Sequence, residues 1–176
     1  MFLLFKKKAR IDDVALGLLA LASTAEKQRA QDITSFEEFV AGRQEKLSVE
    51  RFLNELFFLR IMAIEYAIER ALKNRSLAVA LLDAFAGHLR RIIELQDPTR
   101  ESLDALRTRL TVYSQALNTP TPKDRWGGPF WNVGKAFARL CGEDEPDIAL
   151  VGHGSIAFAG TVKAVSEALG SFKIVE

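Results

Sequence analysis

Residues 52–68 read FLNELFFLRIMAIEYAI, and thirteen of these seventeen side chains are apolar. A helix on a protein surface shows a narrower apolar stripe, so a run apolar on most of its circumference predicts a helix enclosed by other elements. Ser48 is placed to cap it, and Glu50 stands near the positive end of its dipole. The chain is therefore read as mainly α, with six or seven helices around a buried central helix over about residues 49–73.

Periodicity places the other helices. One element starts after Asp12 or Asp13, with Val14, Leu18, Leu21, Ala22 and Ala25 on one face. Ser35 and Glu38 match a capping box and predict a short helix ending near Gly42. Leu77, Leu81, Leu82, Phe85, Leu89, Ile92 and Ile93 share half of a helix over 77–95. Asp97-Pro98 then breaks the chain before a helix whose seam is Leu103, Leu106, Leu110, Tyr113 and Leu117. Thr119-Pro120-Thr121-Pro122 is a loop, and Pro129 opens a helix running to about Cys141.

From 147 onward the pattern changes. Ile148–Val151 and Phe172–Val175 are short apolar runs that fit strand or helix equally, and Gly152-His153-Gly154-Ser155 between them reads as a turn before a helix. The organisation expected is a helical bundle over 1–142. Residues 143–176 follow as a C-terminal segment packed on it, either a strand–helix–strand unit or two helices broken at the glycines.

Composition narrows the function classes. The 176 residues suit one domain with a sizeable core, and 48% are apolar and 27% charged. A net charge of +1 supplies no general field for polyanions, so nucleic acid is not an expected partner. Cys141 is the single cysteine, so no internal disulfide forms and a reducing, cytoplasmic setting is expected. With two histidines besides, the chain is short of ligands for most transition-metal sites, and no cofactor is expected. No uncharged apolar segment reaches the length of a membrane span. Phe2-Leu3-Leu4-Phe5 followed by Lys6, Lys7 and Lys8 would give at most weak contact with an anionic membrane surface. Glu143, Asp144, Glu145 and Asp147 form an acidic cluster.

Several residues carry candidate chemistry. Gly152-x-Gly154-x-x-Ala157 has the spacing of a phosphate-binding turn, in which glycines and Ser155 at a helix N-terminus present free N–H groups to an anion. Two short strands are too few for the sheet on which a dinucleotide rests. Arg60 lies in the apolar face of the central helix and, once enclosed, needs a carboxylate or an anionic ligand; an internal salt bridge is the plainer expectation. His88, at the edge of its helix's apolar face, has the position of a haem ligand in a globin-like pocket, against the simpler reading of a hydrogen-bonded core-edge histidine. His153 next to Ser155 shows no third member of a triad. Glu55, Glu65 and Glu69 are read as a solvated, salt-bridged face. Phe58 and Met62 on that strip mark a surface for another chain. Trp126 and Trp131 flank a Gly-Gly-Pro turn and are read as covering the end of the bundle.

The function expected is a non-catalytic protein-interaction or adaptor domain with a protein partner or self-association, such as a homodimer. The alternatives are an anion- or nucleotide-binding protein using Arg60 and Gly152–Ser155, and a haem-binding sensor centred on His88.

Overall fold

Ser48 opens the central helix by accepting the Arg51 N–H on its hydroxyl, and the helix, α3, runs from Val49 to Ala71. The computed structural model describes residues 7–22, 26–40, 47–97, 101–120, 128–142 and 147–175. Among these the chain forms seven helices: α1 (Ile11–Ala22), α2 (Glu26–Val40), α3, α4 (Arg75–Gln96), α5 (Glu101–Asn118), α6 (Gly128–Cys141) and α7 (Ile148–Ser171). Two short strands, β1 (Lys7–Arg10) and β2 (Phe172–Val175), complete the fold. It is a mainly α bundle with a small strand appendage.

α3 touches each of the other six helices. Leu56, Leu59, Ile61, Ala63, Ile64, Ala67 and Ile68 are wholly enclosed. Two apolar clusters build the core. One joins α1, α4 and the C-terminal halves of α3 and α7. The other joins α6, Phe36, Tyr113 and the N-terminal halves of α3 and α7. α7 is thus the second spine of the molecule, contributing Leu150, Val151 and Phe158 to one cluster and Val165 and Leu169 to the other.

Several expectations are corrected. Ser35 and Glu38 lie inside α2, which starts at Glu26 and needs no cap there. The apolar run Ile148–Val151 is helical, because the Asp147 carboxylate accepts the Ala149 N–H at 2.7 Å and starts α7 directly. No strand–helix–strand unit forms at the C-terminus. β2 pairs instead with β1, in parallel, with Lys7 level with Phe172 and Arg10 level with Val175. Gly170 does not stop α7, which continues to Ser171.

Elsewhere the reading of the sequence stands. Asn74 caps α4, Pro129 lies in the first turn of α6, and the Asp97 carboxylate accepts the Ser102 N–H at 2.8 Å. α6 ends at Gly142 (φ +115°), where the Arg51 guanidinium donates to the Leu140 carbonyl at 2.7 Å and satisfies the helix C-terminus. Phe2–Lys6, Trp126, Glu143, Asp144 and Glu145 lie outside the described residues.

Candidate functional site

α7 is shaped by what it presses against. Gly134 of α6 faces Val151 and Ser155 of α7 so closely that a Cβ at 134 would collide with the Ser155 hydroxyl and the Val151 carbonyl. Gly154 of α7 faces Phe137 of α6, where an added Cβ would stand 2.7 Å from the ring. These two glycines let the helix axes approach. The backbone amides of Gly152, Gly154 and Ser155 belong to a continuous helix, so the phosphate-binding turn expected at Gly152–Ser155 is not formed. Its spacing arises from packing: Gly154 faces inward and Gly152 outward.

Beneath α7 is a buried ionic group. Arg60 of α3 donates through Nη2 to both carboxylate oxygens of Asp32 of α2, at 3.1 and 2.9 Å. Both residues are almost fully enclosed. The internal partner of Arg60 is therefore a carboxylate contributed by the neighbouring helix. His153 of α7 packs on Phe52 and Phe137, with ring centroids 5.3 and 6.4 Å away. Burial holds its imidazole below the usual histidine range, Asp32 pulls the other way, and Arg60 adds to the lowering. A cavity of about 350 Å³ opens over this group, lined by Ser35, Glu38, Phe52, Ala149, Leu150 and His153. The sequence offered no signal for it, because Asp32 and Ser35 lie on a helix whose extent was misread.

The acidic strip of α3 is not a solvated face. Glu55 is buried, accepts from Arg109 Nε at 2.6 Å and from the Tyr113 hydroxyl at 3.4 Å, and clamps α5 onto α3. Burial raises its carboxyl, opposed by Arg109, Tyr113 and Arg51. Glu65 is pushed up to about 7, first by burial and then by Glu69. It borders a groove with Met62, Tyr66, Thr111 and Ser114. Phe58 and Met62, expected to form an exposed contact surface, are half-buried and pack against the chain's own core, because α5 and α7 close over that side of α3. His88 lies at the α1–α4 contact with Nε2 3.6 Å from the Asp12 carboxylate, so the nitrogen a haem iron would take faces an anion.

The apolar surface without a covering element lies on α7 itself. Ile148 and Ile156 are each 74% exposed. Between and beyond them Gly152 and Gly160 continue the same i,i+4 row, and a Cβ at either would meet nothing within 4 Å. The hydroxyls of Ser155, Thr161 and Ser166 bond back to carbonyls of the same helix, four residues earlier, at 2.7–2.9 Å. These polar side chains are thereby satisfied without solvent. α7 is also a helix long and apolar enough to cross a membrane by length and composition, although no wholly uncharged span was expected, because Lys163 and Glu167 are few enough to be tolerated in the window.

No known family model matches the chain, and neither a curated protein nor a solved structure is similar to it. The row Ile148–Gly152–Ile156–Gly160 on a helix anchored by Gly134, Gly154 and Phe137 is accordingly the feature on which a functional reading rests.

Proposed function

We propose that the chain is a non-catalytic helical interaction domain acting in the cytoplasm and docking a partner helix on the outer face of α7. One observation carries this reading: two isoleucines, each 74% exposed, alternate with open glycines along one row of a helix whose other face is locked into the core. Scattered apolar side chains on a surface are ordinary, but an aligned row of them on a rigid element is what a partner helix covers. The phosphate-turn and haem readings draw no comparable support from the positions of Gly152, Gly154, Arg60 and His88.

A photo-reactive amino acid placed at Ile156 tests it in living cells. Covalent adducts with a polypeptide are expected from position 156 and not from the exposed control position Arg107, and Ile148→Arg should suppress them. Equal labelling at both positions, or none at 156, removes the reading.

A further inference from the structure

We infer that the partner covering α7 is α7 of a second copy of this chain, packed antiparallel about a twofold axis level with residue 154; this rests on the reading of α7 as a docking face. The argument is one of register. In an antiparallel pair centred there, position 156 lies opposite position 152, and position 148 opposite position 160. Each exposed isoleucine therefore meets an open glycine: Ile156 the partner's Gly152, and Ile148 the partner's Gly160. The symmetry repeats both contacts, giving four knobs in four hollows from one self-complementary row.

A parallel pair in register lacks this match, since it sets isoleucine on isoleucine and leaves the glycine gaps empty. The hollows are real, because the space above Gly152 and Gly160 is open. The knobs are real, because Ile148 and Ile156 are mostly bare. Charge agrees with the same register. Lys163, at the far end of the row, comes within one turn of the partner's Asp147, the residue that caps α7. The row from 148 to 160 extends only about 18 Å at 1.5 Å per residue, so the contact is smaller than a standard interface and the dimer dissociates on dilution.

Gly152→Leu is the decisive variant. Nothing in the monomer blocks a side chain there, and leucine favours a helix over glycine, so the fold is kept. The change adds apolar surface, so unspecific stickiness would increase association. In the proposed register it fills the hollow that receives Ile156, and dimerisation should weaken at least about tenfold. Sedimentation equilibrium from sub-micromolar to millimolar protein reads the effect, with thermal unfolding at low concentration to show an intact monomer. Mixed Gly152→Cys and Ile156→Cys proteins should form a disulfide-linked pair faster than Gly152→Cys alone; the native Cys141 is buried.

A protein monomeric at every concentration overturns the inference, as does a dimer that Gly152→Leu leaves unchanged or strengthens. So does a monomer that cosediments with phosphatidylcholine–phosphatidylserine vesicles through Ile156. A monomer whose position 156 still cross-links to a different protein in cells overturns the self-pairing while leaving the docking face in place.

Discussion

Glu65 and His153 make the stability of this molecule depend on pH in opposite directions. The Glu65 carboxyl is raised to about 7 in the folded chain from an ordinary value of 4.5, so the folded state binds more protons between those values. Its ionisation therefore costs stability as pH rises from 4.5 through 7, and the cost is complete above that. Glu65→Gln should raise unfolding free energy by about 1–2 kcal/mol at pH 8, after discounting for residual solvent contact, and leave it unchanged at pH 4, as urea titrations at both pH values will show. His153 is displaced downward, so the unfolded chain binds more protons below pH 6.5. Its contribution is intact above pH 6.5 and is lost as pH falls below it. His153→Phe, which keeps a ring against Phe52 and Phe137, should flatten the decline in urea midpoint between pH 7.5 and pH 5. An unaltered decline would place the acid sensitivity elsewhere. The sequence hid both effects: Glu65 resembled a surface acid on a polar strip, and His153 resembled part of a turn, because burial by α5 and α6 comes from distant segments.

At the scale of elements, the helix pairs α2–α3 and α6–α7 can be tested separately. Asp32→Ala leaves Arg60 enclosed and uncompensated and should cost about 3–5 kcal/mol, whereas Asp32→Leu with Arg60→Met should be close to neutral. A double-mutant cycle in urea measures the difference. On α7 the glycines divide by the side they face. Gly154→Val drives a side chain into Phe137 and should destabilise by about 3 kcal/mol. Gly152→Ala and Gly160→Ala, with open space above them, should each stabilise the monomer by about 0.5–1 kcal/mol in the same assay. The central helix was legible from its apolar breadth and its Ser48 cap, and α4, α5 and α6 from periodicity and Asn, Asp and Pro punctuation. α2 was truncated because its first turns are polar and carry no periodic signal. α7 was split because glycine is read as a break, while here the close approach of α6 compensates for its low helix propensity. That same error concealed the Ile–Gly row, whose spacing appears only once 148–160 is seen as one helix.

For the whole molecule, the order of synthesis opposes the order of closure. β1 is made first, but its partner residues in β2 follow 162 positions after Arg10. Translation at about 5–20 residues per second leaves that edge unmatched for roughly 8–30 s. α7, which supplies side chains to both apolar clusters, also emerges late. A nascent chain lacking it exposes Leu18, Phe85, Phe137 and their neighbours to water, so folding to completion has to await the last helix. Ribosome-bound chains stalled before residue 148 should accordingly be digested by protease at sites that the released protein protects, and chaperones that hold unfolded segments have their longest opportunity on this polypeptide just before its final strand is delivered.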